Sequence, residues 1–106
     1  MSAPDISGRE RELVAEAFDS NYVAPAGPML GRFEQAMSDY TGFAHAVALT
    51  TATAALHLAM RIAGVGPGDR VWTSTATFIG GCAPITYVGA TPVFVDCDEK
   101  SWTIDT

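Results

Sequence analysis

With 106 residues, 48% of them hydrophobic and 17% charged, the chain has apolar material for one small core, which excludes a disordered or fibrous class. A formal charge of −6, with cations dispersed at Arg9, Arg11, Arg32, Arg61, Arg70 and Lys100, argues against nucleic acid or an anionic membrane as a partner. Its apolar runs are too short to span a bilayer and the first residues lack signal-peptide character, so a cytoplasmic location is expected.

The first predicted element is a helix opening on a capping box, Ser7 with Glu10, with Leu13, Val14, Ala17 and Phe18 on one face and Asp19-Ser20-Asn21 at its end. The stretch from Asn21 to Pro28 holds two prolines and a glycine and reads as irregular. Pro28 suits the first turn of a second helix with Leu30, Phe33, Met37 and Tyr40 as its apolar face, and Gly42 suits the residue just past its end. These helices define a first region, residues 1–42.

The region from 43 to 106 has a different character. Ala44 to Leu49 reads as a short buried strand, Thr50 to Thr53 as a polar turn, and Ala54 to Ala63 as a buried helix with Ala55, Ala59 and Ala63 forming a small-residue ridge. His57 and Arg61 share its wetter face. Gly64 to Asp69 stops it. Arg70 to Ser74 is a predicted second strand and Thr91 to Val95 a third, closed by Asp96 to Lys100. Between them, Phe78 to Tyr87 is weakly helical: Gly80-Gly81 and Pro84 oppose a helix, unless a late start puts Pro84 in the first turn. Strand, helix, strand, helix, strand with short connections implies an α/β class with a parallel sheet. Asp105 or Thr106 would cap a further helix, so the chain is expected to be a fragment of a larger architecture.

Ligands in open α/β sheets bind where strands end and helices begin. At Leu49 to Ala55 the small residues and hydroxyls would let an anion reach the free N–H groups of a helix start, a fit for phosphate; a plain N-cap is the alternative. At Thr73 to Phe78 the aromatic could cover a flat ligand or could pack in the core. His45, His57, Cys82 and Cys97 have no metal-ligand spacing, and the cysteines read as packed thiols. No metal site is expected.

Asn21 to Gly27, Phe33-Glu34, Tyr40, Ala46 to Leu49, Thr51 to Ala59, Gly66 to Asp69, Thr77 to Ile79 and Gly89 to Asp96, in this order, resemble the DegT/StrS-type aminotransferases. The resemblance covers nearly the whole chain from about Gly8. It implies part of the three-layer, parallel-sheet large domain of a fold-type I pyridoxal-phosphate transferase, with two N-terminal helices and then a βαβαβ order. The implied activity is transfer of an amino group from an amino acid such as glutamate to a nucleotide-linked keto sugar, in polysaccharide, glycan or antibiotic-sugar biosynthesis, by a homodimer when full length.

The resemblance further implies that Thr51, Ala52 and Thr53 hold the phosphate of pyridoxal 5'-phosphate, that Phe78 stacks on its pyridine ring, and that Tyr22, Ala24, Pro25 and Gly27 lie near the sugar nucleotide. Transamination also needs a lysine that joins the cofactor covalently and an acidic residue on its ring nitrogen, which in this family come from later segments. Lys100, within Asp98-Glu99-Lys100-Ser101, reads as a solvated turn and not as that lysine, so no catalytic residue is assigned and the fragment alone is expected to be inactive. A sugar dehydratase of the same fold, a phosphate-binding α/β module without chemistry, and a gene remnant are the alternatives.

Overall fold

The computed structural model describes residues 3–105. The chain divides into two compact units, Met1–Ala48 and Leu49–Thr106.

The first unit carries helices α1 (Arg9–Asp19) and α2 (Pro28–Thr41). Ser7 and Glu10 do meet, but not as a full capping box. The Ser7 hydroxyl donates to the Glu10 carboxylate at 3.0 Å, the Gly8 N–H donates to the same carboxylate at 2.9 Å, and the cap is Gly8 at φ 105°. Pro28 opens α2 because its fixed φ suits a helix start and its missing N–H would have had no partner there. Gly42, left-handed at φ 75°, ends it and donates its N–H to the Ser38 carbonyl at 2.9 Å. Arg32 and Glu16 pair across the two helices, with both side chains more than half exposed, so the pair contributes little to stability.

The strand expected at Ala44 to Leu49 does not form. This segment has no regular structure, and Val47 is 74% exposed. Its polar groups go to α2: the Ala48 N–H donates to Glu34 Oε1 at 2.9 Å, and the Phe43 carbonyl accepts the Ser38 hydroxyl. An apolar run specifies burial, but a strand requires a ladder partner, and none pairs here. The βαβαβ order is therefore corrected to αβαβ in the second unit: α3 (Ala52–Ile62), β1 (Arg70–Ser74), α4 (Ile79–Tyr87) and β2 (Thr91–Val95). The α/β class itself stands, since β1 and β2 pair in parallel from Arg70 with Thr91 to Ser74 with Val95, with α4 as the crossover.

Two helix ends built alike fix how this unit closes. At the end of α3, left-handed Gly64 lets the Val65 N–H reach the Met60 carbonyl at 3.0 Å and the Gly64 N–H reach Arg61 at 3.2 Å. At the end of α4, Gly89 lets the Ala90 N–H reach Ile85 at 3.1 Å and its own N–H reach Thr86 at 3.0 Å. Both are Schellman motifs, in which the residue after the glycine folds back over the last turn. That fold-back places Val65 and Ala90 on the core, where Cys82, Ile85 and Val88 of α4 and its C-cap meet Met60 and Val71.

Pro84 is not in the first turn of α4. It lies inside the helix and is fully buried, so tertiary packing has overridden the local penalty. Asp105 donates its N–H to the Asp96 carbonyl at 2.9 Å, and Thr106, the alternative cap, lies outside the described residues. Among the described residues no helix is long and apolar enough to cross a membrane.

Ile85, at 1% exposure, is the most buried apolar side chain of this core. Ile85→Ala is expected to cost about 2–4 kcal/mol of unfolding free energy, read as a lower urea midpoint with little change in slope.

Candidate functional site

The N-terminus of α3 is capped by Thr51. With its backbone extended at φ −153°, Thr51 turns its hydroxyl to accept the Ala54 N–H at 3.0 Å. That bond uses an acceptor lone pair and leaves the hydroxyl proton free to donate elsewhere. Ala52 and Thr53 follow, and as first-turn residues their N–H groups have no acceptor within the helix. The positive end of the helix dipole lies at the same place. Small side chains at Ala52 and Ala54 leave the backbone accessible.

Gly80 joins this terminus to α4. A methyl group added at Gly80 would sit 2.6 Å from Thr53 Oγ1 and 3.2 Å from the nearest ring carbon of Phe78. The Thr53 hydroxyl and the Phe78 ring therefore converge on one backbone position that carries no side chain. Phe78 is the residue before α4 and is 76% exposed, so it is not a core residue. Gly81 is close-packed in the same way, with Thr77 Oγ1 2.7 Å from where its Cβ would be. Further along the two helices, the rings of His57 and Tyr87 meet edge to face at 5.7 Å. His57 is partly exposed, as expected of the wetter face of α3, and one edge of it meets Tyr87.

The glycine pair is what sequence reasoning read wrongly. Gly80-Gly81 counted only against a helix, whereas the structure uses their missing side chains to bring two hydroxyls and a ring together. A helix that carries glycines where its propensity would favour alanine is the sequence signal for such a close approach.

In the first unit, Tyr22 packs on Gly27. A Cβ at Gly27 would lie 2.9 Å from a Tyr22 ring carbon, and the glycine holds φ at 152°. Ala24 and Pro25 are exposed in the bend between them.

Lys100 sits in an exposed turn organised by Asp98. One carboxylate oxygen of Asp98 accepts the N–H groups of Lys100 at 3.1 Å and Ser101 at 2.7 Å, and the Ser101 hydroxyl at 2.8 Å. The Ser101 N–H and hydroxyl, and then the Lys100 N–H, hold this carboxyl below its ordinary range. Asp96 accepts the Thr75 hydroxyl at 3.2 Å across the strand ends. No group of three or more His, Cys, Asp or Glu among the described residues could hold a metal ion.

One family description matches residues 4–106, nearly the whole chain. The chain belongs to the DegT/DnrJ/EryC1/StrS aminotransferase family. Among DegT/DnrJ/EryC1/StrS relatives, it is 41% identical to the GDP-perosamine synthase of Caulobacter vibrioides over 99% of its own length and 28% of that protein's. It is 40% identical to the putative pyridoxal phosphate-dependent aminotransferase EpsN of Bacillus subtilis, over 98% of this chain and 27% of that one. The putative sugar aminotransferase Spr1654 from Streptococcus pneumoniae, solved in its PLP-form, superimposes with a TM-score of 0.83 at 39% identity, over 98% of this chain and 26% of that one. The chain thus spans between a quarter and a third of the length of these DegT/DnrJ/EryC1/StrS proteins.

Gly80→Val would drive a branched side chain between Thr53 and Phe78 and is expected to cost about 1–3 kcal/mol in urea denaturation. The depressed Asp98 carboxyl favours the folded state above its unfolded pKa, and that contribution is lost as pH falls through the lower folded value. A carbon-13 NMR titration should therefore place the Asp98 midpoint below that of an ordinary aspartate, and Ser101→Ala should raise it.

Proposed function

We propose that this chain supplies the phosphate-holding wall and one ring face of a pyridoxal-phosphate-dependent sugar aminotransferase. The observation that carries this reading is the convergence of Thr53, at the start of α3, and Phe78 on Gly80, in the first turn of α4. Any side chain at residue 80 would meet both the Thr53 hydroxyl and the Phe78 ring, and its absence supports a reading in which these two groups face a phosphorylated flat ring.

In this reading the Ala52 and Thr53 N–H groups and the Thr53 hydroxyl donate to the phosphate oxygens, and Thr51 adds its free hydroxyl proton. The α3 dipole favours the phosphate charge without a lysine or arginine at the site. Phe78, exposed among the described residues, lies against the ring, holding it in orientation and keeping water from one face. When bound, pyridoxal 5'-phosphate supplies the electron sink that lets an amino group pass between an amino acid and a ketone. Lys100 takes no part in that chemistry: it is exposed in the Asp98 turn and not in the enclosed pocket a reactive lysine needs. The reactive lysine and the acid on the ring nitrogen belong to polypeptide other than these residues.

A nucleotide-linked keto sugar is the proposed acceptor and an amino acid, glutamate in the first instance, the proposed donor. Support comes from the relatives, whose names include GDP-perosamine synthase and a UDP-4-amino-4-deoxy-L-arabinose–oxoglutarate aminotransferase. The Tyr22 to Gly27 loop, shaped by Tyr22 against Gly27, is proposed to contact the sugar nucleotide, with Ala24 and Pro25 exposed for it. The whole enzyme is proposed to be a cytoplasmic homodimer.

Thr53→Ala in the whole enzyme is expected to weaken pyridoxal phosphate retention by about 1–3 kcal/mol, the loss of one charge-assisted hydrogen bond. Equilibrium dialysis with cofactor fluorescence reads this directly, and an unchanged affinity would overturn the assignment.

A further inference from the structure

The first turn of α4 is built to be weak, while the rest of the same helix is built to be rigid. Its first turn holds two adjacent glycines, Gly80 and Gly81, and its cap residue Phe78 makes no side-chain cap bond. The turn closes by a short-range bond, the Gly81 N–H to the Phe78 carbonyl at 2.8 Å, of the tighter 3₁₀ kind. Pro84 has no N–H, so the ladder lacks the bond that residue 84 would give the Gly80 carbonyl. Phe78 and Ile79 are exposed. By contrast Cys82, Pro84, Ile85 and Val88 are buried, and the helix end is locked by its Schellman motif.

Burial from Cys82 onward, and the weak first turn with the bond missing at Pro84, put a boundary of local stability inside a single short helix. Segments with few buried apolar contacts and few ladder bonds open independently of the global fold. The segment on the weak side carries the ring assigned to the cofactor, and its two glycines lie close to the Thr53 and Thr77 hydroxyls.

We propose that Phe78–Gly81 is a strap that opens in the cofactor-free protein, hinged at Gly80-Gly81 and Pro84, and closes when a planar phosphorylated ring lies under Phe78. This inference rests on the assignment of Phe78 and Thr53 to the cofactor. The closed state gains a ring contact that the open state lacks, and that difference in contacts is what shifts the balance toward it. Phosphate alone reaches Thr53 but offers Phe78 no surface, so it leaves the strap open. The strap thereby makes retention depend on both the phosphate and the ring of the ligand.

Residue-resolved hydrogen exchange on the whole protein tests this with pyridoxal 5'-phosphate and inorganic phosphate as probes. Without ligand, the amides of Gly81 to Ala83 should exchange at least about tenfold faster than those of Ile85 to Val88, and Pro84→Ala should narrow the gap by restoring a donor. Pyridoxal phosphate should slow Gly81 to Ala83 to the rate of the helix body, whereas inorganic phosphate should protect only Ala52 and Thr53. Equal protection along α4 in the ligand-free wild type overturns the strap, and that comparison involves no cofactor and no variant. Persistent fast exchange at Gly81 to Ala83 while pyridoxal phosphate protects Ala52 and Thr53 also overturns it, leaving the cofactor assignment intact. Absence of protection at Ala52 and Thr53 overturns the cofactor assignment, and the closing of the strap with it.

Discussion

Burial of Ile85 under the β1–β2 pair is the contact on which the second unit depends. Ile85 is the innermost point of a cluster with Cys82, Val88 and Ala90, and Met60, Val65 and Val71 pack against that cluster from α3, the loop after it and β1. Each of those elements is set by a short-range device. Gly64 turns the chain so that Val65 reaches the cluster, and Gly89 does the same for Ala90 before β2 begins. Removing the isoleucine side chain would leave three elements without the surface they share, which is why its loss is felt beyond one helix.

With α4 anchored there, its start is pressed against the start of α3, and this makes a candidate site out of two helix termini. The approach is possible only because residue 80 has no side chain. The same glycines that weaken α4 as a helix therefore let Thr53 and Phe78 meet. Burial is concentrated in the second half of the helix, and the candidate site lies at the half that local propensity disfavours. Such separation of a firm scaffold from a pliable edge is common where binding surfaces must admit a ligand.

The helices were legible because their signals are local. Pro28 and Gly42 bracket α2 and the Gly64 to Asp69 run ends α3, each through backbone geometry that the residue type itself imposes, whereas α3 begins at Ala52, inside the stretch expected as a turn. Strands β1 and β2 were legible at their observed bounds because short apolar runs lie between strong turn signals. The Ala44 to Leu49 run carries the same apolar signal yet forms no strand, because pairing depends on a partner elsewhere in the chain and not on composition. At the site, the small residues and hydroxyls of Thr51 to Thr53 suggested an anion, while Phe78 could have been read as core until its exposure was known.

By itself the sequence determined the proline and glycine that bracket α2, the two paired strands, the class and the family, because these follow from residue chemistry acting over a few positions or from a pattern spread along the whole chain. Only the tertiary structure decided that Pro84 is buried inside a helix, that His57 lies edge-on to Tyr87, and that Gly80 is where Thr53 and Phe78 converge. Those are distances between residues far apart in sequence. They are set by packing that no local propensity encodes, and in α4 that packing runs against local propensity.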